Sequence, residues 1–138
     1  MKKLNLFIIT LFALSILTAC SKEMGCTDTD SVDYNSLAEE DDGSCTYEGN
    51  AVLWYDQASA TGLVNDGATS LTYYVDGQVV GSSAASVYWT SSPDCSQNGS
   101  VTITENLGNV KTQAYTYSVR DQTGFEYWSG IINFNANT

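Results

Sequence analysis

The chain has 138 residues, a formal net charge of −11 and no histidine; at ~100–200 residues per domain that is room for one modest core and a small appendage. Without His it cannot build a Ser-His-Asp triad, a His-based zinc site or a Cys-His nucleophile from its own residues, and five Lys+Arg against sixteen Asp+Glu make it a poor nucleic-acid binder, because duplex affinity rests on phosphate neutralisation. Hydrophobic residues at 43%, charged residues at 15% and nine Tyr describe a globular chain rather than a disordered one.

The N-terminus reads as an address. Lys2 and Lys3 precede an apolar run over residues 4–17, broken by Asn5, Thr10 and Ser15, and the small residues Thr18 and Ala19 lead to Cys20. This is a secretory signal layout, too short and wrongly flanked for a stable membrane span. The stretch Leu17-Thr18-Ala19-Cys20 resembles the lipobox of bacterial lipoproteins. That resemblance implies cleavage before Cys20 and lipid, palmitate included, on its thiol. Residues 1–19 are then the signal peptide and residues 20–25 a lipidated tether. Several acyl chains give stable attachment where one gives only marginal binding. Cleavage removes two lysines and no acid, leaving sixteen acids against three bases and a net charge of −13. Ser21-Lys22-Glu23 resembles the surface-export signal of some Bacteroidetes lipoproteins. The expected location is the cell envelope, at the outer membrane and exposed on its surface.

Residues 26–48 form an acidic, cysteine-framed segment. Eight acids fall between Asp28 and Glu48 with no intervening Lys or Arg. Such crowding costs repulsion unless the carboxylates are solvated or bind a cation, and calcium takes 6–8 oxygen ligands of this kind. An EF-hand loop does not fit. Counting from Asp28, position five is Val32 and position six is Asp33, where a Gly is needed for the turn. Residues 25–47, GCTDTDSVDYNSLAEEDDGSCTY, instead resemble a short G-C-T-D…Y-N…A…D-D-G-S-C-x-Y repeat of secreted Bacteroidetes proteins, loosely similar to thrombospondin type 3 calcium repeats. Thr29 stands where that repeat often has Pro. The resemblance implies a Cys26–Cys45 disulfide, which an oxidising compartment favours and which would contribute ~3 kcal/mol in the chain-entropy model. The functional reading of the segment is a calcium-binding spacer, with Asp28, Asp41 and Asp42 as first ligands and Asp30, Asp33 and Asn35 second. The alternative is a stapled acidic linker that binds nothing tightly. Asp30-Ser31-Val32 further resembles a Bacteroidetes O-glycosylation acceptor.

From Gly49 onward the pattern turns to period two. Val52-Leu53-Trp54-Tyr55 opens it, and Leu71, Tyr73 and Val75 alternate with Thr72, Tyr74 and Asp76. Asp76-Gly77 before Gln78-Val79-Val80 is a strong hairpin signal. Further runs hold Val87 and Trp89, Val101 and Ile103, Tyr115, Tyr117 and Val119, Phe125 and Tyr127, and finally Ile131-Ile132-Asn133-Phe134. Turn clusters separate them, such as Asn65-Asp66-Gly67 and Asp121-Gln122-Thr123-Gly124. No stretch after Gly49 offers ten residues of helical periodicity. About seven short strands with regular turns predict an all-β domain over residues 49–138. The expected form is a small antiparallel β-sandwich of Ig-like architecture without the antibody Cys-Trp-Cys frame. The segments around Tyr74-Val75-Asp76-Gly77 and Tyr127-Trp128-Ser129-Gly130 resemble small β-domains of Bacteroidetes lipoproteins.

Cys95 is left over. It is a buried free thiol, a competitor for Cys26 or Cys45, or the partner of a cysteine beyond Thr138. The expected function is a lipid-anchored, non-catalytic binding, adhesion or scaffolding module, touching the membrane through its anchor and a glycan or an envelope protein through its loops. A carbohydrate site would use Tyr74, Tyr88 and Trp128, with Trp54 as a further candidate, because aromatic faces beside Asp and Asn stack on sugars. A carboxylate-based hydrolase would draw on Asp56, Asp66, Asp94, Glu105, Asp121 or Glu126, but a sandwich of about 90 residues has little room for the several hundred Å³ of a substrate cleft.

Overall fold

A computed structural model describes residues 21–137. Cys20, its lipobox and Thr138 lie outside the described residues.

The acidic segment is short and stapled. Strand β1 (Met24–Gly25) pairs in parallel with β2 (Glu40–Asp41), and Cys26 is disulfide-bonded to Cys45. Ser31 is buried, and its hydroxyl donates to the Thr46 carbonyl at 2.8 Å while accepting from the amides of Asp33 and Thr46. The hydroxyl of the expected glycan acceptor is therefore spent on holding the segment together.

The remainder is a small antiparallel β-sandwich. One sheet has the order β5–β4–β7–β8, from β5 (Gln78–Ala84), β4 (Ser70–Val75), β7 (Thr112–Asp121) and β8 (Glu126–Asn135). The other pairs β3 (Tyr47–Leu53) with β6 (Val101–Gly108). Alternation decides the faces. Tyr73, Val119 and Trp128 are cross-strand partners on the inner face, while Tyr74, Ser118 and Ser129 stand in the adjacent row on the outer face. Asp76 and Gly77 both have positive φ, 44° and 76°, as the expected two-residue hairpin requires.

Two glycines bring the sheets together at their edges. A Cβ on Gly49 would lie 2.8 Å from the Asn135 carbonyl oxygen, and one on Gly81 would lie 2.7 Å from Val101 Cγ1. Only the missing side chains let β3 reach β8 and β5 reach β6. Between the seams the core gathers in two buried clusters, one around Leu71, Tyr73 and Val119, the other around Val75, Ile103 and Phe134.

Two features differ from the sequence expectation. Helix α1 (Gln57–Asn65) stands where only strands and turns were expected. Nine residues are too few for a clear period, yet Ala60 and Leu63 bury one face, and the Asp56 side chain accepts from the Ser59 amide at 2.9 Å as N-cap. The Val87–Trp89 run is not a strand. The chain turns at Ala85, and the Trp89 amide is taken by the Tyr55 carbonyl, so a single bond replaces a ladder.

Candidate functional site

β3 and β8 run edge to edge at one end, where Gly49 bridges to Ala136 just past β8. Beyond it they part, and the gap is a cleft of about 350 Å³. Leu53, Trp54 and Tyr55 continue β3 along one wall; Tyr117 and Trp128 form the other; buried Tyr73 and Val119 close the floor. Asp56 and Ser59, at the start of α1, stand at one end. The Tyr55 hydroxyl donates to the Ala84 and Ala85 carbonyls, and the Tyr73 hydroxyl is bonded to Ser83 Oγ at 2.8 Å. Burial pushes the Tyr73 phenol up to about 12, so it remains a neutral hydroxyl.

The second wall owes its shape to a β-bulge. Val119 faces Trp128 but Arg120 faces Glu126, so Tyr127 is the extra residue. Its ring follows Trp128 onto the inner side, 6.0 Å between centroids. Phe125 meets Tyr127 edge-on at 5.1 Å, and Tyr55 stacks on Trp128 at 5.8 Å. Four rings thus run in unbroken contact, Phe125, Tyr127, Trp128, Tyr55, with Phe125 62% and Trp128 37% exposed.

The strip's far end opens on a second hollow of about 390 Å³, edged by Asp66, Asp121, Phe125 and Tyr127. Gln122 braces it, accepting from the Thr69 amide and donating to the Gly67 carbonyl. Asp121 accepts from the amides of Thr123 and Phe125 and from the Thr123 hydroxyl, which holds its carboxyl below the usual range. The Ser59 amide does the same for Asp56. Burial, with the charges of Asp66 and Asp121, raises the Tyr127 phenol.

The expected aromatic trio is not one site. Trp128 lines the cleft. Tyr74 lies on the opposite face of the sheet beneath Arg120, 5.2 Å from its ring centroid. Tyr88 borders a separate hollow of about 210 Å³ beside α1. Tyr55, the ring that completes the strip, carried no signal beyond its place in an apolar run, because its partner depends on a bulge 72 residues away.

The acidic segment holds a resident cation. Lys111 Nζ sits 2.7 Å from Asp28 Oδ2 and 2.8 Å from Asp30 Oδ2. Tyr47 donates to Asp28 at 2.9 Å and Asn137 to Asp30 at 3.3 Å. Lys111, then the Asp30 amide and Tyr47, hold the Asp28 carboxyl down at about 2. The other expected ligands make local bonds. Asp33 accepts from Thr46, Asn35 from the Leu37 amide, Asp41 from the Gly43 amide and Asp42 from the Ser44 amide. Among the described residues no three Asp, Glu or Cys side chains gather as a metal-binding group. Cys95 is free and exposed, which removes the buried-thiol and competing-pair readings for the described residues.

No protein family, no curated protein and no solved structure matches this chain.

Proposed function

We propose that this chain is a non-catalytic binding module, held at the bacterial outer membrane by lipid on Cys20, whose ligand lies in the aromatic cleft between β3 and β8. The observation that carries the reading is the strip of four touching rings, open to solvent at Phe125 and Trp128. Exposed rings rimmed by polar groups are the surface signature of a recognition site. Of the six carboxylates a hydrolase would draw on, hydrogen bonds hold Asp56, Asp121 and Glu126 low, the reverse of what a general acid needs.

The acidic segment acts on this reading as a docked spacer between lipid and sandwich. Calcium would have to compete with Lys111 for Asp28 and Asp30. A second reading takes the ligand to be a neutral glycan, supported by Trp54, 43% exposed, beside Trp128 and Asp56 in the same cleft.

The test has two arms. Labelled palmitate should enter the full chain and fail to enter Cys20→Ser. A panel of neutral oligosaccharides and short peptides should contain a compound that quenches indole emission of the full chain and leaves Trp128→Phe unchanged. A panel with no such compound would refute the cleft as a binding site.

A further inference from the structure

The described part of the chain has three basic side chains, and each is in an ion pair: Lys22 with Glu40, Lys111 with Asp28 and Asp30, Arg120 with Glu126. Two of the three also lie on a tyrosine. Lys111 Nζ is 5.6 Å from the Tyr47 ring centroid and Arg120 is 5.2 Å from that of Tyr74. The molecule thus twice builds one arrangement: an aromatic face, a carboxylate, and a cation held between them. A ring's negative face and a carboxylate attract the same cation, and desolvation strengthens both.

The strip from Phe125 to Tyr55 has rings and carboxylates but no base. Asp56 stands at the cleft end, Asp66 and Asp121 at the hollow end. None of the three is in an ion pair, and every described base is engaged elsewhere. A neutral sugar would stack on the rings and leave these charges uncompensated. An organic cation would use both features, and the excess of sixteen acids over five bases would steer it in. Two acidic hollows joined by a ring strip fit an extended occupant with a cationic group at each end.

We propose that the aromatic cleft binds a basic, extended segment of a partner polypeptide, with one Arg or Lys side chain against Trp128, Tyr55 and Asp56 and a second against Phe125, Tyr127 and Asp121. The inference rests on the cleft being the binding site and adds the chemistry of what enters it.

The experiment is calorimetric titration of the full chain in detergent with a synthetic peptide carrying two arginines separated by three serines. The same peptide with citrulline for arginine keeps shape and hydrogen bonding but removes the charge, and cellopentaose serves as the neutral glycan. Saturable binding of the arginine peptide is expected, with the citrulline peptide at least about tenfold weaker. Trp128→Ala should weaken it by about tenfold or more and Asp56→Asn by about threefold, Asn being an equally good helix cap. Ile131→Ser, on the outer face of β8, should not change it. Binding that survives Trp128→Ala would mean attraction by bulk charge and would overturn the proposal. Binding of cellopentaose alone, lost in Trp128→Phe, would keep the cleft as the site and overturn the cationic partner. No heat from any probe, with indole emission unmoved, would overturn both.

Discussion

The indole of Trp128 lies on the phenol ring of Tyr55, 5.8 Å between centroids and 26° from parallel, so the two walls of the cleft meet where their backbones have separated. Tyr55 is fixed through its hydroxyl to the end of β5; Trp128 is fixed by the bulge in β8. Tyr55→Phe removes the tether and keeps the ring. Trp128 emission should shift to longer wavelength as the stack loosens, while far-UV circular dichroism stays the same. An unshifted spectrum would mean that packing alone holds the pair.

The Lys111–Asp28 pair has a defined pH window. The Asp28 carboxyl is lowered from 3.8 to about 2, so its contribution is complete above the unfolded value and is lost as pH falls through the folded one. Lys111 is shifted upward, and its contribution holds below the ordinary lysine range. With the acid slowing of intrinsic exchange divided out, the protection of residues 26–45 should therefore fall between about pH 4 and pH 2 in the native chain. Lys111→Met should exchange fast at neutral pH already, with a flatter acid response. Equal profiles would show that the disulfide alone positions the segment.

Calcium meets an occupied site at Asp28 and Asp30. Millimolar calcium is expected to leave the melting temperature where a chelator leaves it. Lys111→Met frees both carboxylates and should make any calcium response larger. A calcium-specific rise in the native chain, by mass-action linkage, would show that the metal displaces the lysine.

The seam glycines admit no side chain. Gly49→Ala places a methyl against the Asn135 carbonyl and should cost about 1–3 kcal/mol as overpacking, read by urea unfolding. Gly62→Ala, on α1 with open space around it, should be neutral or mildly stabilising. A loss of stability in Gly62→Ala as large as that in Gly49→Ala would contradict the seam argument.

Cys95 is exposed and free. A thiol-reactive maleimide should label Cys95 in the folded chain within minutes, and Cys95→Ser should lose that label. Slow labelling that needs denaturant would place the thiol in a protected position.

Local rules reached much of this fold. Asp76-Gly77 announced its hairpin because positive φ at two adjacent positions leaves few choices of residue, and the alternation of Leu71, Tyr73 and Val75 announced a half-buried strand. Helix α1 was hidden by its brevity and by Thr61 and Gly62, which favour no helix. The strip was half visible. Trp128 was legible as an aromatic on a strand, but its contact with Tyr55 depends on a bulge and on the parting of β3 from β8, and neither has a local signature. The Lys111 clamp joins residues 83 positions apart, a distance no spacing rule spans.

The seams at Gly49 and Gly81 hold the two sheets edge against edge, β3 beside β8 and β5 beside β6. Open strand edges invite neighbouring copies to pair, and lipid attachment would confine those copies to two dimensions at high local density. Two missing methyl groups thus let each of these edges lie against the other sheet. A variant that pried either seam apart would first betray itself by self-association, before its stability in dilute solution had fallen far.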